Sequence, residues 1–461
     1  MVAGSQKSAS EVFTEFAAAL TVDQVAPQSK ITINNALLDF AGLSISARDE
    51  EYIGAIKAGW DGEGSCTAFG HSKSYDAAGA AVINGTACHG EDYDDTFEGN
   101  PMHCTTVIMP AVLAACERYG RSGPDALKGV AIGMELMCRL ALVAPTGMHR
   151  AGFHPTAITG ALAATAGVSV ALGLNAKQMT DALGVAGSMA SGIIEYLAEG
   201  TWTKRLHPGW AAQCGIRAAL MGQHGFAGPR TVLEGDHGLF FAFADHGIDR
   251  DFSHVTDGLG EKWWMENIAV KPYACGTMTQ PFIDCAIRLA KEGLDHRDID
   301  HIECNVGEGT VHRLWEVEKE KQRPTTPYSA KFSGQFCVAV GLVDQAAGLV
   351  QFTDEKISNP DILAVASKVK YVIDPNDEYP RNYSGHVRAT LKDGSVREAH
   401  QPHLRGGVRE PVERAELETK FRANIAFAGW ADSDADRLEK ICTNLFDAPN
   451  MDSLKEFRVK A

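Results

Sequence analysis

One long segment without charged side chains constrains the fold more than any other feature. From Thr156 to Ala176 no residue is charged, and the small residues Ala, Gly and Thr predominate. A membrane span needs about 20 consecutive apolar residues, which this segment nearly provides. Small side chains, however, are typical of helices that pack closely against other helices. We therefore predict a buried core helix here rather than a membrane-spanning one.

Length and composition predict a globular protein of more than one domain. A chain of 461 residues is too long for one hydrophobic core, and 45% hydrophobic with 22% charged residues is typical of globular proteins. The formal net charge of −16 disfavours nucleic acid and membranes as partners, because phosphate groups and anionic lipids are repelled. A small anionic substrate stays compatible with this charge, since a pocket can be locally basic.

The cysteine content predicts a cytoplasmic location. The eleven cysteines include no Cys-x-x-Cys pair, which favours reduced and mostly buried thiols over disulfides. Residues 1–7 also lack the apolar core of a signal peptide.

Two kinds of pattern divide the chain. Helical periodicity dominates residues 1–265 and returns in residues 405–461, whereas residues 266–404 add strand patterns. Alternation predicts strands at Ile299–Val306 and Val369–Ile373, and Asp393-Gly394 predicts the turn of a hairpin. The predicted fold is mainly α with an α+β second domain: a helical domain built from both chain ends (1–265 and 405–461) and a smaller inserted α+β domain (266–404).

Cap residues predict several helix limits in the first domain. Gly173 and Asn175 predict a helix end followed by a new cap, with the next helix running toward Tyr196. A further helix is predicted from Trp210 to His224, because glycine follows it.

The first cluster of candidate functional side chains lies between His89 and His103. It contains Asp92, Asp94 and Asp95 between the two histidines. Carboxylates and imidazoles bind divalent ions, and the same groups transfer protons in general acid–base catalysis. They also cap helices from loops. No His-Glu-x-x-His or EF-hand pattern accompanies them, so all three interpretations stay open on spacing alone.

Three further clusters each lead into a predicted helix. His154 has an imidazole that titrates near neutral pH, although capping or packing is the commoner use of such a residue. Lys204 and His207 combine positive charge with a helix N-terminus, which suits either a carboxylate receptor or a solvated basic loop. Lys271 lies near Cys275, where a cation lowers a thiol pKa unless the thiol is simply buried.

The sequence contains none of the common cofactor motifs. It has no Gly-x-x-x-x-Gly-Lys-Ser/Thr phosphate loop, no Gly-x-Gly-x-x-Gly after a strand and no Gly-x-Ser-x-Gly elbow. We therefore predict that the protein uses no cofactor.

In their order along the chain, these clusters resemble the MmgE/PrpD family, which includes 2-methylcitrate dehydratase, cis-aconitate decarboxylase and iminodisuccinate epimerase. The resemblance covers roughly residues 10–430. The matching motifs are Asn84-Gly85 with His89 and Asp92–Asp95, Gly152–Thr156, Lys204–Gly209, Gly225–Pro229 with Glu234-Gly235, Lys271–Cys275 and Phe332-Ser333.

The resemblance implies a fold, an assembly and a set of site residues. The family has a helical domain made from both termini plus a smaller α+β domain, is usually a homodimer and needs no metal. The residues that the resemblance places in the catalytic region are Asp92, Thr96, His103, His154, Lys204 and Lys271. We expect catalysis from Asp92, His103, His154, Lys204 and Lys271, and substrate binding from Thr96, His207, Tyr273 and Cys275.

Two positions depart from the decarboxylases of this family. Cys275-Gly276 stands where the decarboxylase has a histidine, and Phe336 stands where many members have a tyrosine. The expected function is therefore a cofactor-independent, 2-methylcitrate dehydratase-like hydro-lyase. It acts on a small di- or tricarboxylate by proton abstraction next to a carboxylate.

In the expected mechanism, His103 or His154 transfers the proton, oriented by Asp92, while Lys204 and Lys271 hold the substrate. The alternatives are an epimerase or racemase, a decarboxylase, and a non-catalytic carboxylate-binding protein. A metal-dependent hydrolase is a further alternative, with His89, Asp94, Asp95 and His103 as its metal-binding residues.

Overall fold

The computed structural model describes residues 7–98, 100, 102–379 and 381–459. Within them the chain forms two compact units. The first comprises the chain up to Gly90, residues Asp94–Ile268 and the chain from Asn424 onward. The second comprises Glu91–Tyr93 and Ala269–Ala423.

The second unit is larger than the predicted 266–404, in two places. It extends to residue 423 because the helix Arg414–Phe427 bonds to it. Glu416 accepts a hydrogen bond from Arg405, and Lys420 donates one to the backbone oxygen of Lys271. It also takes in residues 91–93, which no local pattern separates from their neighbours. The predicted domain of residues 405–461 is therefore divided.

The first unit is helical, with a few very short strands that the prediction of an all-helical domain left out. Cys66–Thr67 pairs antiparallel with Ser74–Tyr75, and Thr96–Phe97 forms another short strand. Its α-helices are Ala9–Ala19, Pro27–Ser46, Glu51–Ala58, Ala77–Gly90, Thr105–Tyr119, Gly123–Val143, Gly147–Arg150, Pro155–Leu172, Ala176–Met189, Tyr196–Glu199, Thr203–Gln223, Leu239–Phe243, Ser253–Thr256 and Asp432–Asn444.

The uncharged segment forms the core helix Pro155–Leu172, as predicted. By length and composition alone this helix could cross a membrane, but its residues are buried inside the protein, with only Leu172 at its end half-buried. The helices packed against it are Thr105–Tyr119, Gly123–Val143, Ala176–Met189 and Thr203–Gln223. Its small side chains allow that close approach: a Cβ on Gly215 would lie 2.4 Å from the Cβ of Ala164.

The helix predicted to begin at Trp210 begins at Thr203 instead. It continues through Pro208 and Gly209, which a local pattern treats as a helix breaker. Tertiary packing accounts for this, because Gly209 presses against the helix Ala77–Gly90. A Cβ there would lie 2.3 Å from the backbone oxygen of Val82. His207 and Lys204 therefore lie within the helix rather than in a loop before it.

The helix after Gly173 starts as predicted and ends early. Gly173 adopts φ 78°, and Asn175 and Gln178 cap the new helix reciprocally. This helix stops at Met189 and does not run on to Tyr196. The chain turns away at Gly192, whose φ is 140° and whose backbone oxygen accepts a hydrogen bond from the amide of His154.

The second unit contains a four-stranded sheet with helices. In spatial order the strands are Val369–Ile373, Ile299–Val306, Gly385–Leu391 and Val396–Gln401; the first pair is parallel and the other two are antiparallel. The predicted strands and the turn at Asp393-Gly394 are thus confirmed. The α-helices of this unit are Gln280–Lys291, Val311–Leu314, Glu318–Gln322, Pro327–Ala330, Gly334–Val343, Asp354–Ile357 and Pro360–Ala366.

None of the eleven cysteines, all of which lie in the described residues, forms a disulfide, and all are buried, in agreement with the prediction.

Candidate active site

Four buried histidines gather in the helical unit. His89, at the end of the helix Ala77–Gly90, has its ring centroid 4.7 Å from that of His103 and 6.0 Å from that of His154. The ring of His154 in turn lies 5.2 Å from that of His207. We call these four residues the histidine cluster. Each is at most 8% exposed, so the cluster is largely removed from bulk water.

Two imidazoles of the cluster have a fixed tautomer. The Nδ1 of His89 lies 2.7 Å from a carboxylate oxygen of Asp94, and the Nδ1 of His103 lies 2.6 Å from the backbone oxygen of Asp95. These oxygens only accept hydrogen bonds, so each Nδ1 carries the proton. The neutral form of each ring therefore has its lone pair on Nε2. Within the described residues, the Nε2 of His89 has no hydrogen-bond partner and is buried.

His154 and His207 form a direct imidazole pair, with their Nδ1 atoms 3.0 Å apart. One nitrogen must donate and the other accept, so at least one of the two rings is neutral. Burial lowers the pKa of His154 well below 6.5, and the neighbouring His207, His89 and Lys204 lower it further. Burial likewise lowers the pKa of His207 to about 4, assisted by His89 and Lys204. Both rings are therefore neutral near neutral pH. In the bonded pair, the donor ring presents its lone pair on Nε2 and can act as a base, and the acceptor ring presents an N–H on Nε2.

The acidic residues of the first cluster do two different things. Asp94 supports the histidines: one of its oxygens is bonded to His89 and lies 3.6 Å from the Nδ1 of His103. The carboxylate of Asp95 instead accepts the backbone amides of Cys104 and Thr105, each at 3.0 Å, at the start of a helix. Burial, followed by repulsion from Asp94, raises the pKa of Asp95 to about 7.

The first unit brings together most of the residues that the sequence predicted for it. His103, His154 and His207 are in the cluster, and the charge of Lys204 acts on the last two. Thr96 is buried beside Asp95 in the short strand Thr96–Phe97. The amide of His103 donates to the hydroxyl of Thr156 at 3.2 Å, a contact that the sequence did not predict.

The acidic residues of this unit bear on two expectations. Within the unit, Asp94 and Asp95 provide the hydrogen bonds that orient His89 and His103. The orienting role predicted for Asp92, which belongs to the second unit, stays a prediction. The metal-binding set predicted as an alternative included Asp95, whose carboxylate caps a helix instead. The group whose geometry suits a metal is His89, His103 and His154, with one ring nitrogen from each within 4.8 Å of the others.

That trio fits two kinds of chemistry. Metal-binding histidines usually donate the second ring nitrogen to a carboxylate or a carbonyl, as His89 and His103 do here. The same arrangement orients an imidazole for proton transfer.

In the second unit, Asp92 and Lys271 contact each other. The ammonium group of Lys271 donates to the backbone oxygen of Asp92 at 3.0 Å and lies 3.5 Å from its carboxylate. The hydroxyl of Tyr328 donates to the other carboxylate oxygen at 2.9 Å. Asp92 has φ 55°, in the left-handed region that non-glycine residues rarely adopt. These two predicted catalytic residues are therefore tied into the structure of their own unit.

Tyr273 and Cys275, predicted to bind the substrate, already have buried partners in the second unit. The hydroxyl of Tyr273 donates to Asp284 at 2.6 Å and accepts from Arg405 at 2.9 Å. Burial, with the charge of Asp284, raises the pKa of that hydroxyl. The thiol of Cys275 accepts from the hydroxyl of Thr279 at 3.1 Å.

Sequence reasoning missed several residues that contact the predicted ones. Tyr328, Lys331 and Lys420 bond to residues 91–93 from far along the chain. Lys331 directly precedes the matched Phe332-Ser333 motif, which was the one available signal. Nothing in the local sequence around Lys420 marks it.

Comparison with known proteins identifies similar sequences over most of the chain. Residues 11–250 match the MmgE/PrpD N-terminal domain, and residues 273–446 match the MmgE/PrpD C-terminal domain. The cis-aconitate decarboxylase of Aspergillus terreus is 27% identical over 398 residues, which cover 81% of this chain and 79% of that protein. Human cis-aconitate decarboxylase is 28% identical over 382 residues, covering 80% of this chain and 76% of that one.

Proposed function

Because this chain belongs to the MmgE/PrpD family, we propose that it is a lyase that acts on a small di- or tricarboxylate by moving protons next to a carboxylate. One observation carries the proposal: the buried histidine cluster combines two Nδ1-protonated imidazoles with a neutral hydrogen-bonded imidazole pair. Such a site both takes and returns protons. Lys204 supplies a positive charge beside it, which suits an anionic substrate.

Dehydration is the first candidate reaction. A neutral imidazole takes the proton from the carbon beside a carboxylate, and the electron pair delocalises into that carboxylate. A second group protonates the hydroxyl on the adjacent carbon, which leaves as water while the double bond forms. The His154–His207 pair is suited to the two transfers, because each imidazole has one protonated and one unprotonated nitrogen.

Decarboxylation is the second candidate, and the names of the relatives favour it. In that reaction a carboxylate leaves as carbon dioxide and a single proton is delivered to the carbon. Against it stand Cys275 and Phe336, which replace residues of the decarboxylase pattern. Both of these side chains are fully buried in the second unit.

Proton NMR in heavy water distinguishes these reactions. The protein is incubated with citrate, 2-methylcitrate, cis-aconitate, malate and an iminodisuccinate-type acid. We expect deuterium next to a carboxylate together with an unsaturated product or its hydration. Carbon dioxide release with deuterium incorporation would favour decarboxylation, and inverted configuration without elimination would favour an epimerase. If no acid exchanges or reacts, the proposal is overturned.

A chelator arm of the same experiment tests the metal-dependent alternative. The trio His89, His103 and His154 would provide the metal-binding nitrogens. We expect turnover to persist after dialysis against a chelator. Loss of turnover that a divalent ion restores would instead support a metal-dependent reaction.

We also propose that the protein is a homodimer in a reducing compartment such as the cytoplasm. The eleven buried cysteines, none of them in a disulfide, support the compartment. The helix Thr203–Gln223 and the turn after it expose Trp210, Met221 and Phe226, and large apolar side chains of this kind are typical of subunit interfaces. Met221→Glu should lower the mass measured by light scattering to that of a monomer, whereas Ile31→Glu, at an exposed apolar control position, should not.

A further inference from the structure

Three buried lysines converge on three consecutive residues of the second unit. Lys331 donates to the backbone oxygen of Glu91 at 2.8 Å, Lys271 to that of Asp92 at 3.0 Å, and Lys420 to that of Tyr93 at 2.8 Å. We call Lys271, Lys331 and Lys420 the lysine clasp. The three lysines come from well-separated parts of the sequence, and each takes one carbonyl of the tripeptide.

The side chains of the tripeptide reinforce the same contacts. The carboxylate of Glu91 lies 2.7 Å from the ammonium group of Lys331. The ring of Tyr93 lies beneath Lys420, with the ammonium nitrogen 3.9 Å from the ring centroid. The hydroxyl of Tyr93 donates to the backbone oxygen of Pro272 at 3.0 Å.

Burial makes this arrangement unusual. Lys271, Lys331 and Lys420 are only 2%, 1% and 7% exposed. An ammonium group removed from water is unfavourable unless it is compensated, and lysine is seldom fully buried without partners. Here backbone carbonyls, carboxylates and an aromatic face compensate the charges. The arrangement also holds Asp92 at its unfavourable positive φ, which persists only where surrounding contacts determine it.

The position of the tripeptide gives the clasp a function. It follows His89 by two residues and directly precedes Asp94 and Asp95, which hold the Nδ1 atoms of His89 and His103. The clasp therefore fixes the backbone between a histidine of the cluster and the residues that orient it. A small displacement there would rotate the imidazoles away from the reacting atoms.

We propose that Lys331 and Lys420 are positioning residues of the lyase, acting with Lys271 through the backbone of residues 91–93 on Asp94 and Asp95. The proposal rests on the proposed function, because it requires the histidine cluster to carry the chemistry. Neither lysine needs to contact the substrate in this role.

Lys321 provides a matched control in the same unit. It is also partly buried, and its ammonium group also donates to two backbone carbonyls, those of Arg313 and Phe332. The two carbonyls that Lys321 bonds to, however, lie outside residues 91–93. Lys321→Met therefore removes a comparable set of hydrogen bonds without touching the tripeptide.

The experiment compares Lys331→Met, Lys420→Met and Lys321→Met in the full-length protein. With the best acid from the NMR panel, the first two should lower kcat by roughly 10- to 100-fold, since a displacement of about 1 Å at a reacting group costs on that order. KM should change by less than about threefold, because the substrate-binding charge of Lys204 is untouched. Lys321→Met should keep kcat within about twofold of the wild-type protein.

A second measurement detects the displacement without any substrate. Hydrogen–deuterium exchange should accelerate in peptides covering residues 88–98 in the first two variants, and not in Lys321→Met. If Lys420→Met does not fold, Lys420→Arg takes its place. That variant keeps a cation over Tyr93. Its planar guanidinium group, however, fits poorly the two backbone oxygens to which Lys420 donates, those of Tyr93 and Lys271. It should fold and show a smaller fall in kcat, with faster exchange in the same peptides.

The outcomes separate the two proposals. An active wild-type protein whose kcat and exchange are unchanged in Lys331→Met and in either Lys420 variant overturns the positioning role alone. Equal losses in Lys321→Met also overturn it, because the effect would then be general destabilisation. A wild-type protein that processes no acid overturns the proposed function and this inference with it.

Discussion

The histidine cluster and the lysine clasp are both buried and polar, yet their groups have opposite surroundings. In the cluster the imidazoles lie beside one another and beside Lys204, so burial and mutual repulsion lower the pKa values of His154 and His207. In the clasp each ammonium group meets an oxygen. Buried imidazoles whose pKa values are lowered stay neutral and can accept protons, whereas buried cations bonded to backbone carbonyls hold that backbone in place.

The largest expected effect is the loss of catalysis when an imidazole of the cluster is removed. His154→Gln should lower kcat by about 10²- to 10⁴-fold, the usual contribution of a general acid or base. His71→Gln is the matched control, because His71 is buried in the same unit and also has a pKa lowered to about 4, but bonds to Lys57. Steady-state kinetics and melting temperatures measure both. Equal losses in the two variants would contradict the assignment.

The second effect is a pH dependence of stability that comes from Asp95, the residue that holds His103 of the cluster. The pKa of Asp95 is raised from 3.8 to about 7, so the folded protein keeps a proton that the unfolded chain loses. The stabilisation of the folded protein that results from this retained proton is fully present below about pH 4 and is lost as the pH rises to about 7. The lowered pKa values of His154 and His207 have the opposite effect, because they make the folded protein more stable as the pH rises toward 6.5.

Comparing Asp95→Asn with the wild-type protein isolates the carboxyl group, since the histidines are common to both. Between pH 5 and pH 7.5 the melting temperature of the wild-type protein should fall by roughly 2–5 °C relative to that of the variant. The loss of a helix cap adds an offset that is the same at both pH values. A difference that does not change with pH would show that Asp95 is ionised throughout.

The third effect tests the electrostatic coupling of Lys204 to the cluster. A base works when it is unprotonated, so the lowered pKa values keep His154 and His207 functional well below pH 6.5. Lys204→Gln removes a charge that lowers both values, and the acidic limb of kcat/KM should move upward by roughly 0.5–1 pH unit. Lys177→Gln, at a surface lysine paired with Asp181, should leave the limb unchanged. Full activity with an unmoved limb in Lys204→Gln would remove Lys204 from the site.

The smallest effect belongs to the neighbourhood of the clasp. Tyr328→Phe removes one hydrogen bond to the carboxylate of Asp92, a loss of about 1 kcal/mol. We expect kcat to fall roughly two- to fivefold. Tyr371→Phe removes a similar bond to Glu316 at an exposed position of the same unit and should have no effect. A fall as large as that of His154→Gln would mean that Asp92 takes part in the chemistry directly.

The histidine cluster was predicted from the sequence in part. His103, His154 and His207 were predicted as site residues from the family resemblance of the motifs around them, and the structure brings them together with His89. The orienting role predicted for Asp92 stays a prediction, whereas the bonds from Asp94 and Asp95 to His89 and His103 were not predicted. Neighbouring aspartates look equivalent in a sequence, and only the backbone direction, here set by φ 55° at Asp92, decides which carboxylate meets which partner.

Elsewhere tertiary packing overrode local signals. Pro208-Gly209 reads as a helix breaker, but the helix Thr203–Gln223 continues through it because Gly209 fits tightly against a neighbouring helix. The boundary near residue 405 was placed where strand patterns end, and the structure extends the second unit through Lys420.

By itself the sequence determined the mainly helical fold class with its α+β part, the strands of the sheet, the buried core helix Pro155–Leu172, the buried cysteines without disulfides and the family. These follow from periodicity, from side-chain size and from ordered motifs, which are properties of neighbouring residues. The tertiary structure alone decided which aspartate supports which histidine, and that Lys331 and Lys420 join Lys271 around residues 91–93. Those contacts join residues far apart in the chain, and their strength depends on burial, which a local pattern does not record.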